Sequence, residues 1–279
     1  MLWRSECLPN WLFAAENEHF RLSERLILGV WRPFSERSTR RPIAFAIDVL
    51  GNIPSMGIYF LFVLPPFLLG LYAQWKVKSS FAAMAEVPAR MSGAEAARRM
   101  LDHAGLQSVG IERIAGQLSD HYDPRSKVLR LSEDVYSGRS MAALGVACHE
   151  AGHAFQDAQH YAPLVVRNFA VPAANFGSGI GATLLFLGAI MSFAPLMWIG
   201  VILFSAVVFF QVINLPVEFN ASSRAREHLV EYGLITAQEE RYVAKVLNAA
   251  ALTYVAATLQ SIMTLAYYLL ILTGGRRSD

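Results

Sequence analysis

The chain has 279 residues, of which 54% are hydrophobic and only 16% are charged. Soluble domains usually carry about 25% charged residues, so this composition predicts a membrane protein. The formal net charge is only +2. No block of lysine or arginine alternates with aromatic residues as a nucleic-acid groove requires. The composition therefore indicates the lipid bilayer as a partner and argues against nucleic acid.

The first 42 residues are predicted to lie at the membrane surface. Between Arg21 and Trp31, charged residues alternate with leucine, isoleucine and valine, a pattern typical of an amphipathic helix on a bilayer. A plain surface helix fits the same pattern. Acidic residues precede any apolar stretch, so we do not interpret this segment as a cleavable signal peptide.

Three apolar regions are long enough to cross a bilayer, which needs about 20 residues per helix. The first transmembrane helix is assigned to residues 43–75, where Pro54 and the Pro65–Pro66 pair predict a bend or a later start. Residues 168–215 are uncharged with a turn signal near Pro195, which predicts a hairpin of two spans. Residues 249–272 supply a fourth span, and residues 273–279 form a basic tail.

A hairpin returns the chain to the side of the membrane from which it left. The segments 76–167 and 216–248 are therefore predicted to face the same compartment. Arginines and lysines flank the spans on both sides, so their distribution is compatible with either orientation. We expect a multi-pass protein of a bacterial plasma membrane.

Residues 76–167 contain the signals of a folded extramembrane unit. Ser92 and Glu95 form a capping box that opens a helix ending near Ala104, and Ser140 is placed to cap a helix over residues 141–158. Residues 109–114 and 127–131 read as short strands. The fold class is thus a mainly α membrane protein with about four transmembrane helices and a small α+β extramembrane unit.

The predicted helix over residues 141–158 contains the motif HExxH, with His149, Glu150 and His153. Residues four apart on a helix lie one above the other, so both imidazoles can bind a single metal ion. Glu150 lies beside them and can accept a proton from water at the metal. Cys148 lies about 100° around the helix from His149, so we interpret it as a small buried residue that does not bind the metal. Two helix histidines without a catalytic role are the alternative.

A catalytic zinc ion takes three protein ligands and leaves one position open. His160 is near in sequence, but the metzincin pattern would place a histidine at 159, where this chain has Gln159. Glu218 is the stronger candidate, because it lies where the third span emerges on the side predicted for HExxH. From the residues alone, both His160 and Glu218 remain candidates for the third ligand.

Four stretches of the chain, in this order, resemble the YugP-like family of integral-membrane neutral zinc metallopeptidases. The resemblance covers Ser92 to Leu272 and is carried by residues 118–125 (LSDHYDPR), 146–156 (VACHEAGHAFQ), 215–222 (LPVEFNAS) and 249–257 (AAALTYVAA). A more distant similarity links them to HtpX-like and CAAX-prenyl-protease-type membrane gluzincins.

The resemblance implies that the small α+β unit is zincin-like, that His149, His153 and Glu218 bind Zn²⁺ and that Glu150 is the general base. Two positions depart from the family pattern. Ser222 stands where related gluzincins carry an acidic residue that orients a histidine, and Asn220 stands where aspartate is frequent.

The expected function is that of a zinc-dependent membrane endopeptidase acting on protein or peptide substrates, including membrane proteins. His121 and Tyr122 are candidate catalytic residues by similarity, as stabilisers of the oxyanion. The other candidates for that role are His228, Arg224 and Arg226. For the stretch around His121 and Tyr122, a hydrogen-bonded turn is the structural alternative, and for the two arginines it is surface or headgroup contact.

Two further hypotheses concern substrate binding and a rival function. The strand at 127–131 could bind an extended substrate as an added strand, or it could be purely structural. A non-catalytic membrane scaffold that retains the HExxH helix is the rival function, although a scaffold has no need of a base at Glu150. A transporter is disfavoured because the spans carry almost no charge.

Overall fold

The computed structural model describes residues 53–274, with side chains from Gly57 onward. The predicted surface helix of residues 21–31 and the end of the basic tail, from residue 275, lie outside these residues. The described part contains eight α-helices, one π-helical turn and three β-strands. The predicted class, a mainly α protein with a small α+β unit, is confirmed.

Four helical stretches in the described region are long and apolar enough to cross a membrane. The first is α1 (Ile53–Ala85), and the second combines α5 (Ala162–Phe176), a π-helical turn (Gly177–Gly181) and α6 (Ala182–Ile190). The third is α7 (Ala194–Glu231) and the fourth is α8 (Glu240–Gly274). The chain is therefore a multi-pass membrane protein, as predicted.

Two of these helices continue past prolines and past the ends of their apolar runs. α1 passes through Pro65 and Pro66 and extends to Ala85. α7 continues through Pro216, beyond residue 215, where the predicted third span ends. A proline removes one backbone hydrogen bond, and neighbouring helices in a membrane protein can compensate for that loss. As a result, Glu218 lies on the same continuous helix as the third span.

The hairpin between α6 and α7 packs through glycine. An added Cβ at Gly188 would lie 2.6 Å from Cγ of Met197, and one at Gly200 would lie 2.7 Å from the backbone nitrogen of Leu185. Small residues of this kind let membrane helices approach closely. Ser192, with φ of 51°, reverses the chain between the two helices, where the sequence predicted a turn. The end of α7 is thereby returned to the side of the extramembrane unit.

The extramembrane unit begins with α2 (Gly93–His103), whose predicted capping box between Ser92 and Glu95 is present. Three strands follow, β1 (Gly110–Ile114), β2 (His121–Asp123) and β3 (Val128–Ser132). A short α3 (Glu133–Tyr136) leads to α4 (Met141–Ala158), whose N-terminus is capped by Ser140. The predicted helices and strands are thus all found, and β2 is added to them.

The sheet has the order β1–β3–β2, with β1 parallel and β2 antiparallel to β3. Both edges of β3 are therefore occupied by neighbouring strands. The hypothesis that residues 127–131 accept a substrate as an added strand is wrong for this reason. β2 is an outer strand of the sheet, and it lies against α4.

The core of the unit forms around α4. Every residue of α4 from Met141 to Gln156 is buried. Leu129 and Leu131 of β3 and Met100 of α2 are fully buried in the same cluster. A helix that is buried on all sides is held in a fixed position, which suits it to present functional side chains.

Candidate metal centre

His149 and His153 lie one turn apart on α4 and face the same point. Their ring centroids are 4.8 Å apart, with the ring planes at 89°. His149 is 1% exposed and His153 is 8% exposed. The HExxH spacing thus places two imidazoles together, as the helix period predicts.

α7 brings the Glu218 carboxylate to these two rings. Oε2 of Glu218 lies 3.3 Å from Nε2 of His149 and 3.6 Å from Nε2 of His153. The close approach of α7 to α4 depends on Gly152, where an added Cβ would lie only 2.7 Å from the carbonyl oxygen of Ala221. The candidate third ligand therefore reaches the imidazoles from a helix that crosses the membrane.

The cluster fits a zinc ion by both its geometry and its donor atoms. Ligand atoms about 2.0–2.1 Å from a tetrahedral ion lie about 3.3 Å from one another, close to the two separations between Glu218 and the histidines. Two imidazole nitrogens and a carboxylate oxygen are also a donor set that zinc prefers. Nε2 of His149 and Oε2 of Glu218 are buried without a hydrogen-bond partner among the described residues. Buried polar atoms are normally satisfied, and a bound ion would account for both.

His160, the other candidate ligand, is exposed and just follows the end of α4. The buried His/Glu cluster of the described region contains His149, His153 and Glu218, without His160.

Burial raises the pKa of the Cys148 thiol, which is fully buried next to His149 in sequence. Cys148 is thus a packed side chain, as the sequence indicated.

Glu150 is completely buried beside the two histidines and is held by β2. The backbone N–H of Tyr122 donates a hydrogen bond to Oε2 of Glu150 at 3.1 Å. This contact joins residues of two separate sequence motifs. It also orients the carboxylate from outside its own helix.

The side chain of Tyr122 points to a different partner. Its hydroxyl donates to Asp157 at 2.6 Å, and Lys127 pairs with the same carboxylate oxygen. Burial and the hydrogen bond to Asp157 raise the pKa of the Tyr122 phenol far above its usual value. Residues 121–123 form strand β2, and the hydrogen-bonded turn that was the structural alternative follows at Asp123, whose carboxylate accepts from the backbone N–H of Arg125 and the hydroxyl of Ser126.

His121 is half-buried, and its Nδ1 lies 2.8 Å from the carbonyl oxygen of Ser119. A carbonyl oxygen only accepts, so Nδ1 carries the proton. In the neutral ring Nε2 is then an acceptor, and it becomes a donor only in the imidazolium. His121 could therefore donate a hydrogen bond to an oxyanion through Nε2 only when its ring carries both protons.

The remaining oxyanion candidates have partners of their own. His228 contacts Glu231 at 2.9 Å and stacks on Tyr232. Arg224 donates to Asn220 and Gln159, each at 2.7 Å. Arg226 forms an ion pair with Glu240. These contacts account for the three side chains structurally.

Two buried polar residues near the centre were missed by the sequence analysis. Gln156 is fully buried and contacts His153, and its position three residues after that histidine on a helix could have indicated it. Asp120 is fully buried and accepts hydrogen bonds from the backbone and hydroxyl of Ser132. Burial raises the pKa of Asp120 to about 6, against the lowering effect of Ser132.

A buried His-His-Glu cluster beside a further glutamate is an arrangement typical of zinc hydrolases, and here Glu218 comes from a helix long enough to cross a bilayer. Residues 59–273 match the family described as "putative neutral zinc metallopeptidase", and the chain belongs to that family. It is 52% identical over 211 residues to the "putative membrane protease YugP" of Bacillus subtilis, which covers 75% of this chain and 93% of that protein. No solved structure matches the chain.

Proposed function

We propose that the protein is a zinc-dependent membrane endopeptidase in which His149, His153 and Glu218 bind the metal and Glu150 is the general base. The observation that carries this proposal is the convergence of these three buried ligand-type side chains next to Glu150, although Glu218 lies 65 residues after His153 in sequence. The membership of the chain in a zinc metallopeptidase family supports the same conclusion.

When bound, a zinc ion supplies a Lewis acid that polarises a peptide carbonyl and lowers the pKa of water to about 7. Glu150 accepts a proton from the attacking water as the water oxygen bonds to the carbonyl carbon. The carbon–nitrogen bond then breaks, and Glu150 returns the proton to the leaving amine. The Tyr122 N–H keeps the Glu150 carboxylate oriented for both transfers.

His121 and Tyr122 belong to the proposed catalytic surroundings in different ways. Tyr122 acts through its backbone on Glu150, because its hydroxyl is bound to Asp157. His121 precedes it on β2, and we assign it the stabilisation of the oxyanion through Nε2 of its protonated ring. Substitution of His121 by Gln should then lower the rate without loss of metal.

The substrates are proposed to be protein segments close to the bilayer surface. Glu218 follows the apolar part of α7, which ends at Leu215, by only three residues. The centre therefore lies near the membrane boundary, where loops and the ends of membrane-protein helices are accessible. This placement supports membrane proteins as a substrate class.

The test compares wild type with Glu150→Gln in detergent, with zinc content and hydrolysis of a casein-like substrate as readouts. Glu133→Gln is the matched control, because Glu133 is an exposed glutamate that pairs with Arg113. We expect all three proteins to bind zinc. Glu150→Gln should lose about 100-fold or more of the hydrolysis rate, the scale of general acid–base catalysis.

Two outcomes would contradict the proposal. Equal hydrolysis by wild type and Glu150→Gln would remove Glu150 from the mechanism. Wild-type protein that binds no zinc when supplied with it would instead favour the scaffold function.

A further inference from the structure

The two histidines of the centre are supported on their outer sides in unequal ways. Nδ1 of His149 lies 3.1 Å from the hydroxyl of Ser222, a group that can donate or accept. Nδ1 of His153 lies 3.0 Å from Oε1 of Gln156. Only the second contact determines which nitrogen of its imidazole carries the proton.

The orientation of the Gln156 amide is set by α7. Its Nε2 donates to the carbonyl oxygen of Val217 at 2.7 Å and to Oδ1 of Asn220 at 3.0 Å. The backbone carbonyl can only accept, so the NH₂ group must face α7 and the amide oxygen must face His153. Nδ1 of His153 therefore carries its proton, and the lone pair of Nε2 faces the cluster.

The same amide also holds the backbone that carries the third ligand. Val217 immediately precedes Glu218, and its carbonyl is bound directly by Gln156. Gln156 thus connects the ring of one ligand to the main chain beside another. It is fully buried, so water does not compete for these hydrogen bonds.

The chain of hydrogen bonds continues to the end of α4. Oδ1 of Asn220 accepts from Gln156 and also from Nε of Arg224 at 2.7 Å. Arg224 in turn donates from Nη1 to Gln159, the residue that follows α4. The amide oxygen of Asn220 therefore receives two donors, which keeps its own orientation fixed.

We propose that Gln156 is a positioning residue that fixes the tautomer of His153 and its distance from Glu218, with Asn220 and Arg224 anchoring its amide. The inference rests on the proposed metal-binding function. A carboxylate at position 222 would support His149 in a comparable way, but Ser222 offers only a hydroxyl. The structure thus assigns the principal support of the ligand pair to the His153 side.

The experiment measures zinc affinity by competition with a chelator on full-length protein in detergent. Gln156→Leu removes the acceptor and both donors. Gln260→Leu is the matched control, because Gln260 is a buried glutamine of α8 that bonds Thr264 instead. The unfolding temperature of the metal-free proteins reports how far each change affects folding.

We expect Gln156→Leu to weaken zinc binding by about 10- to 100-fold, the usual effect of losing an outer partner of a ligand. Gln260→Leu should bind zinc as wild type does. Gln156→Glu should recover much of the affinity, because a protonated carboxyl can accept from His153 and donate to Val217. Such a recovery is not expected from a residue that only fills space.

A second variant keeps the test decisive if Gln156→Leu does not fold. Asn220 is only half-buried, so Asn220→Leu removes the anchor of the amide at a tolerant position. It should lower zinc affinity several-fold, whereas Asn220→Asp should retain it because a carboxylate accepts from both donors. If a folded Gln156→Leu variant or the Asn220→Leu variant binds zinc with wild-type affinity, the positioning role of Gln156 is overturned and the proposed metal centre is unaffected. Absence of zinc from wild type overturns the proposed metal centre and the inference with it.

Discussion

The two helices that build the centre, α4 and α7, contribute to it in contrasting ways. α4 has 18 residues within the folded extramembrane unit and supplies two imidazoles and a carboxylate within five consecutive positions. α7 has 38 residues, crosses the bilayer and supplies one carboxylate near its extramembrane end. The contribution of α4 follows from helix pitch, whereas that of α7 depends on the path of the chain through the membrane. The proposed ligands are therefore brought together partly by local helix geometry and partly by the path of the chain through the membrane.

The largest expected effect comes from removing the contribution of α7. Glu218→Ala should lower zinc affinity by more than the roughly 100-fold that loss of an outer partner costs, because it removes a proposed direct ligand. Zinc content after purification and dialysis checks this, with membrane insertion monitored in parallel. Glu227→Ala, at an exposed glutamate further along α7, is the control. Full zinc retention in Glu218→Ala would place the third ligand elsewhere, with His160 and His228 the next to test.

The next effect concerns the contact between the two helices. Gly152→Ala places a Cβ against the Ala221 backbone, which cannot rotate away, so α4 and α7 must separate. Crowding of this kind costs about 1–3 kcal/mol, and the unfolding temperature and zinc affinity should both fall. Gly145→Ala, on the same helix, meets only a methyl group of Val243 at 3.2 Å and should be tolerated. Equal behaviour of the two variants would show that α4 and α7 can reposition freely.

A comparable effect, visible only as the pH changes, is expected from the buried acid just before β2. Asp120 has a pKa of about 6 in the folded protein, raised from 3.8 mainly by burial. Its contribution to stability is therefore fully present below pH 4 and is lost as the pH rises through about 6. Each pKa unit corresponds to about 1.4 kcal/mol, so the loss is on the order of 2–3 kcal/mol.

Asp120→Asn has no such titration and tests this linkage. Its unfolding temperature should rise relative to wild type between pH 4 and pH 7. Asp134→Asn, at an exposed position of α3, should follow wild type throughout. A constant difference between Asp120→Asn and wild type across this range would contradict the raised pKa.

The smallest effect is expected at Tyr122. Tyr122→Phe removes the hydrogen bond to Asp157, which should cost about 1–2 kcal/mol of stability. The backbone contact to Glu150 is unaffected, so zinc binding and hydrolysis should stay near wild type. A loss of hydrolysis of about 100-fold or more with zinc retained, the scale of general acid–base catalysis, would instead indicate that the hydroxyl contacts the substrate.

The features that could be predicted from sequence are those set by local rules. HExxH fixed the relation of His149 to His153, and the capping residues Ser92 and Ser140 marked the starts of two helices. Glu218 could be proposed because a hairpin must return the chain to its starting side. That argument depended on the number of membrane spans. It predicted that Glu218 and HExxH lie on the same side of the membrane, but it could not predict the distance between them.

The features that were missed depend on long-range contacts. β2 has only three residues and exists as a strand because it pairs with β3. The continuity of α7 through Pro216 could not be seen from a residue that usually interrupts helices. The role of Gln156 appears only when Val217 and Asn220, more than sixty residues later, are placed beside it. The spacing of residues in the sequence carries no information about such long-range contacts.

The continuity of α7 from the bilayer to Glu218 links the maturation of the protein to its chemistry. A newly synthesised chain whose third span has not yet entered the lipid already contains the HExxH sequence, but Glu218 is not yet beside it to complete the proposed ligand set. Under the proposed function, such a chain gains hydrolytic capacity only when the hairpin has been inserted. Insertion would therefore protect neighbouring proteins from premature cleavage by the proposed protease.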